Sequence, residues 1–225
     1  MARIASLLLI FAVCLPHIAA AGETAEAKTV MTNRGKLIFS DAFGSPLEKP
    51  WNVAKGAWDI VDSAVQVREL KSDHHGAVAR RALPVADFVA QYSFKLDGAK
   101  STTFSVNCPQ GHCCRVSITP NSLVVRKDSH DHNRADKAVT LGQQRVQIAP
   151  GVWHTLVIEI HGPELLATLD GKTVAYGSHE SIAVTKSNIG LTVAGESASF
   201  KDLRVWEAQP NSQWAANKEK LLKGQ

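Results

Sequence analysis

The chain has 225 residues, 44% of them hydrophobic and 20% charged, with a formal net charge of +4. That length accommodates one large domain or two small ones. Lys218, Lys220 and Lys223 hold part of the positive excess at the C-terminus, so the body is close to neutral. With no Lys/Arg face evident in the sequence and no binding motif, the charge argues against a nucleic-acid partner.

Residues 1–21 read as a secretory signal: Arg3 is the positive n-region, Ile4 to Leu15 the apolar run, and Ala19-Ala20-Ala21 the cleavage site before Gly22. The run is too short to span a bilayer, which needs about 20 residues, and no other stretch could anchor the chain. The protein is therefore expected to be exported, to a periplasmic or extracellular space. Residues 22–34 are polar and alanine-rich without period, which predicts a flexible leader.

From Lys36 the chain is a succession of short alternating runs. Lys36 to Phe39 opens the first strand, and a loop with Asp41, Phe43 and Pro46 follows. Gly56 to Ile60 and Ala64 to Leu70 flank a turn at Asp62-Ser63, and Ala77 to Leu83 returns after the polar loop Lys71 to His75. Phe88 to Leu96 alternates most cleanly, and Asp97-Gly98 predicts a turn into Thr102 to Asn107. Cys114 to Thr119 and Leu123 to Lys127 form a hairpin about Pro120-Asn121, followed by the charged loop Asp128 to Asp136 and the weakly alternating Val139 to Ile148. In Gly151 to Tyr176, Leu156, Ile158 and Ile160 share one face of a strand. Gly162-Pro163 breaks it, and Asp170-Gly171 is a strong hairpin signal. Asn188 to Val193 and Ser199 to Val205 complete roughly a dozen strands, at the spacing of an all-β sandwich. Asn211 to Leu222 reads as a helix with a thin apolar edge of Trp214, Leu221 and Leu222. The expectation is an all-β, two-sheet antiparallel jelly-roll domain over 35–207, and a short C-terminal helix within a tail at 208–225.

Cleavage leaves Cys108, Cys113 and Cys114, an odd number in an export context that permits disulfides. Parity places Cys108 on the face of Phe104 and Val106, and Cys114 on the face of Val116 and Ile118. Cys113 falls with Arg115 on the other side. A Cys108–Cys114 bridge with Cys113 spare is the expected arrangement. It closes so short a loop that it contributes about 2 kcal/mol.

Three blocks resemble the laminin-G-like, concanavalin-type jelly rolls of secreted bacterial proteins: Phe39 to Leu70 with FSDAFGS and GAWDIVDSAVQV, GVWHTLVIEIHGPELLATLDGKTVAY, and SNIGLTVAGESASFKDLRVWE. Within that fold the chain is similar to the 3-keto-disaccharide hydrolase (3-keto-glucoside lyase/hydratase) group, through Asp73-His74-His75-Gly76-Ala77 and Gly111-His112-Cys113-Cys114-Arg115-Val116. The resemblance implies an exported protein that binds or acts on carbohydrate. The group's N-S-G-x-x-x-R segment is replaced here by TTFSVNCPQGHCCR. Retaining jelly-roll glycosidases use an E-x-D-x-x-E strand, which sets two carboxylates about 5–5.5 Å apart. Glu159-Ile160-His161-Gly162-Pro163-Glu164 lacks the middle aspartate and is broken by Pro163.

On that resemblance His74, His75, His112 and Arg115 are the candidate catalytic residues, imidazoles for proton transfer and a guanidinium for an oxyanion, if their loops converge. The alternative is that the histidines are plain loop residues and Arg115 a structural ion pair. Asp73 and Trp51 are the candidate ligand-binding residues, Trp51 either as an aromatic for stacking on a pyranose or, equally, as a ring packed under the first hairpin. Trp58, Trp153 and Trp206 sit on strands and are expected in the core. His130 and His132, with Asp128, Asp131 and Asp136, read as a mobile polar loop before a metal site, and no cofactor is assigned. Calcium between Asp41 and Asp170 is the one cation the jelly-roll likeness brings in. A carbohydrate-recognising module is the leading reading. A 3-keto-glycoside hydrolase or lyase and a structural surface protein without a small ligand stand behind it.

Overall fold

A computed structural model describes residues 25–131 and 135–223. The expected signal at 1–21 lies outside the described residues. Among these residues no helix is long and apolar enough to cross a membrane.

Among the described residues the fold is an antiparallel two-sheet sandwich of thirteen strands with one α-helix. Two long strands organise it: β6, Phe88–Cys108, and β13, Asn188–Pro210. They pair along almost their whole length, from Asn107↔Asn188 to Phe88↔Glu207. The sequence suggests two strands and a turn in each of these stretches. Instead each is one strand that bends from one sheet into the other. The bend falls at Gly98 and Gly195, both with positive φ, where the register slips. A Cβ on Gly195 would stand 2.7 Å from the backbone nitrogen of Lys100, so glycine permits the kink. The chain bends rather than reverses at Asp97-Gly98 because both halves of β6 are paired to β13.

The first half of β6 and second half of β13 belong to one sheet. Beside them lie β10 (Trp153–His161), β11 (Glu164–Leu169) and β12 (Thr173–Ser178) on one flank. On the other flank are β1 (Thr32–Asp41) and the hairpin of β3 (Ala57–Val61) with β4 (Ala64–Arg68). The other halves of β6 and β13 carry the second sheet, in the order β2 (Trp51–Lys55), β5 (Ala77–Ala82), β13, β6, β7 (Gly111–Thr119), β8 (Ser122–Lys127) and β9 (Val139–Arg145). The hairpins expected at Asp62-Ser63, Pro120-Asn121 and Asp170-Gly171 all form.

Between the sheets the alternating residues interdigitate, with Phe88, Tyr92, Phe94, Phe104 and Phe200 fully buried around a Tyr92–Phe104 stack. The sheets meet closely where β9 faces β12: a Cβ on Gly142 would lie 2.3 Å from the Tyr176 carbonyl oxygen, and one on Gly177 2.3 Å from Leu141 Cβ.

The outer face of the first sheet is not free. Residues expected as a flexible leader lie across it, held by Glu159, and helix α1 (Trp214–Lys223) packs beside them. Met31, Leu166 and Tyr176 form a small cluster there with Val30, Trp214 and Leu221 packed on it. The leader's polarity is misleading because its anchors are main-chain N–H groups, which composition does not show. Among the described residues, neither terminus covers the outer face of the second sheet.

Candidate functional site: the open sheet face

Strand alternation decides what the open face presents. Inward go Leu191, Val193, Phe104, Val106, Val116 and Ile118, all buried. Outward go the residues between them, and register lines them up across the sheet. One row runs Asn52, Arg80, Gly190, Ser105, Arg115, Arg126, Thr140. The next runs Thr192, Thr103, Ser117, Val124, Gln143, and on the other side Asn188 and Asn107 pair with each other and with His112.

The face is therefore mostly hydroxyls, amides and guanidiniums, with Val78 and Val124 among them. Thr103 Oγ1 and Ser117 Oγ are 3.0 Å apart, and Asn107 Nδ2 donates to Asn188 Oδ1 at 2.7 Å. Gly190 keeps the row level: a Cβ there would stand 2.7 Å from Ser105 Oγ and 3.3 Å from Arg80 Cγ. Asp128, 4% exposed, holds two of the arginines: its Oδ2 accepts from Arg115 Nε at 2.7 Å, and its Oδ1 lies 3.5 Å from Arg126 Nε. Register thus assembles a basic row that the linear sequence, with Arg80, Arg115 and Arg126 scattered over three strands, does not show.

The candidates named from sequence do not all meet. His112 and Arg115 lie on this face, with His112 Nδ1 2.6 Å from Asp131 Oδ1. His74 and His75 precede β5 beyond the Val193 end of the sheet, whereas His112 pairs near the Asn188 end. That separates His75 from His112 by on the order of 23 Å along the strands, about seven residues at ~3.3 Å each. His74 caps a short 3-10 turn, His75 is exposed, and Asp73 Oδ2 accepts from the Gly56 N–H at 2.6 Å. These three shape a loop.

Trp51 is corrected from stacking platform to core. It is 5% exposed, its ring lies 5.6 Å from that of Phe43, and its Nε1 donates to Asp41 at 2.8 Å. Trp153 also departs from expectation. It is half-buried, with the Lys95 and Lys201 ammonium groups 5.4 and 4.5 Å from its ring centre. Asp41 and Asp170 are spent on local bonds, Asp170 to the Thr155 N–H and His154. Among the described residues no three His, Cys, Asp or Glu side chains converge on a metal-sized site; His132 is outside them.

Cys108, Cys113 and Cys114 are buried free thiols in this structure, so the expected Cys108–Cys114 bridge is not formed in it. Parity misleads here because the register slips at Cys113. Val106 pairs with Cys114 and Asn107 with His112, leaving Cys113 as a bulge. The bulge turns Cys113 inward, within hydrogen-bond reach of both other thiols. The bond from Cys114 sets the Cys113 thiol below its usual pKa, and that bond together with burial pushes Cys114 well above it.

The two glutamates nearest a glycosidase pattern hold the termini. Glu159 accepts from the N–H groups of Val30, Met31 and Thr32 and from Thr32 Oγ1. Glu164 accepts from Tyr176 Oη, Trp214 Nε1 and Lys218 Nζ at 2.5–2.8 Å. Burial alone would raise the Glu164 carboxyl, but those three bonds outweigh it and leave it below its ordinary value. A carboxyl lowered in the folded state stabilises fully above its unfolded pKa, and that support is lost as pH falls through the folded one. Helix α1 is thus expected to stay docked at neutral pH and detach under acid. Trp214 fluorescence through an acid titration should report that release, and a Glu164→Gln chain should lack the transition.

No family model matches the chain, and no curated protein matches it. Solved structures do. Carbohydrate-binding module CBM66 from Bacillus subtilis has a TM-score of 0.58 at 14% identity, over 74% of this chain and 98% of its own. A Bacillus subtilis protein of unknown function with a galectin-like fold gives 0.58 at 11%, over 80% of this chain and 100% of its own. A GlcNAcα1-4Gal-releasing endo-β-galactosidase from Clostridium perfringens gives 0.58 at 12%, over 80% and 65%. At these identities the likeness is one of fold.

Proposed function

We propose that this chain is an exported carbohydrate-recognising module whose binding surface is the outer face of β2, β5, β13, β6, β7, β8 and β9. One observation carries the reading: among the described residues, both termini lie on one sheet face and leave the other open, polar and hydroxyl-rich. Side-chain hydroxyls, amides and guanidiniums at fixed spacing match the vicinal hydroxyls of a sugar as donors and acceptors. Similarly folded proteins named as a carbohydrate-binding module and an endo-β-galactosidase support a sugar ligand. Binding is favoured over hydrolysis because Glu159 and Glu164 are occupied by the leader and helix, and the four candidate catalytic groups stand at two ends of the sheet.

The test is a polysaccharide-binding panel with the full chain and a Ser117→Trp variant. Ser117 is half-buried and central on the open face, so its indole would obstruct the surface without entering the core. The reading expects at least one polysaccharide to bind and the variant to lose affinity by about tenfold or more. Binding that is indifferent to Ser117→Trp would move the site elsewhere. Turnover of a glycoside would replace the binding reading with an enzymatic one.

A further inference from the structure

The open sheet is lopsided in charge. Its strand segments, 51–55, 77–82, 102–108, 111–119, 122–127, 139–145 and 188–193, contain Lys55, Arg80, Arg81, Arg115, Arg126, Lys127 and Arg145 but no aspartate or glutamate. The other sheet's strands mix Asp41, Asp59, Glu159, Glu164, Asp202 and Glu207 among their basic residues. Three of the cations are taken up locally. Arg81 lies 4.0 Å over the Phe39 ring, Lys127 is buried against Asp136, and Lys55 Nζ donates to the Asp73 carbonyl. Arg80, Arg115, Arg126 and Arg145 remain for the outer face.

Arg80 and Arg145 have no carboxylate partner among the described residues. Asp128 engages Arg115 through Nε at 2.7 Å, so no hydrogen bond among the described residues uses that arginine's terminal Nη atoms. Asp128 therefore acts as a positioning residue: a buried carboxylate that aims a fork at the surface. Arg80 and Arg115 are three strand spacings apart, about 14 Å, and Arg126 is one further, about 5 Å. Gly190 and Ser105 leave the space between them low. Outward Phe, Tyr and Trp rings are missing from all of these strands, since Trp51 and Phe104 both point inward. A neutral sugar would therefore find no stacking platform, and charge must do that work.

We infer that the ligand of this face is an acidic polysaccharide, its carboxylate or sulfate groups lying across the strands on Arg80, Arg115 and Arg126. This rests on the open face being the sugar surface. A single solvated Arg–anion pair contributes little, so the row suits a polymer that engages several at once. The guanidinium fork takes a planar carboxylate or two oxygens of a sulfate in the same two-bond geometry.

The experiment is affinity electrophoresis of the full chain through gels holding polygalacturonate, dextran sulfate, neutral dextran or oligo-dT, with Arg80→Gln, Arg126→Gln and Arg80→Lys alongside. Thermal melts confirm that each variant is folded. The inference expects one or both acidic polysaccharides to bind at least about tenfold tighter than dextran. Each Arg→Gln change should weaken binding by about threefold to tenfold. Arg80→Lys should restore only part of it, because an ammonium lacks the fork. The carboxylated and sulfated arms show which anion is preferred. Equal binding to dextran with indifferent arginine variants would overturn the acidic ligand and leave the sugar surface standing. Absence of binding to every polysaccharide would overturn both. Oligo-dT retained as strongly as the acidic polysaccharides would overturn the inference in favour of a general polyanion surface.

Discussion

Glu159→Ala should free residues 25–32 from the covered sheet and lower stability by on the order of 3 kcal/mol. The carboxylate is fully buried and accepts four hydrogen bonds from three consecutive residues. Each orphaned buried donor would cost about 1–3 kcal/mol if the leader stayed in place. The leader need not stay. Peeling away returns those N–H groups to water, so the loss is capped at the docking free energy, of which burying Met31 is about 1.5–3 kcal/mol. Hydrogen exchange at the amides of Val30, Met31 and Thr32 should rise to unprotected rates, and the urea midpoint should fall. Glu159→Gln keeps one acceptor oxygen and should lose less.

The same glutamate carries a pH signature opposite to that of Glu164. Burial raises the Glu159 carboxyl above its ordinary value even though four bonds favour the charged form. A carboxyl raised in the folded state holds its proton more tightly there than in the unfolded chain. Its contribution therefore declines as pH rises from the unfolded pKa through the folded one. That decline should be missing in Glu159→Gln.

Gly177→Val should part the sheets at the edge where β9 meets β12, at a cost of about 2–3 kcal/mol. Its Cβ would fall 2.3 Å from Leu141 Cβ and 2.8 Å from the Leu141 carbonyl oxygen, and a backbone oxygen cannot rotate aside. Gly142 makes the reciprocal approach to Tyr176, so one displacement of the two strands relieves both sites. Gly142→Ala and Gly177→Ala should each destabilise, while the double variant should cost clearly less than the sum. Urea midpoints of the two singles and the double measure this directly. Strict additivity would mean that the two glycines answer to separate constraints.

Most of the strand positions were legible in the sequence because period-2 alternation is a local property. Phe88 to Leu96 and Leu156 to Ile160 declare their buried faces residue by residue. The join between strands was not. Gly98 looks like a turn residue, and only its pairing to β13 makes it a bend. Cys113 was misplaced for a related reason, since one bulge inverts the parity of everything before it. The leader could not be read from composition because its docking depends on backbone N–H groups and one distant carboxylate. The basic row escaped because Arg80, Arg115 and Arg126 become neighbours only through register. A trace was nonetheless present: the segments that form this sheet lack any acidic residue, a pattern visible once they are grouped. Resemblance drew attention to His112 and Arg115, which do lie on the open face, and equally to His74 and His75, which do not.

The central claim is that the open face, and not the covered one, meets the ligand. Backbone amide chemical shifts should be followed while the full chain is titrated with an oligosaccharide of the tightest-binding polysaccharide in the panel. Perturbations should be confined to 78–82, 103–107, 115–117, 124–126 and 188–192, with residues 25–32 and 159–166 unmoved. Shifts gathered on the leader and helix face would contradict it, as would saturation binding that leaves the arginine row unperturbed.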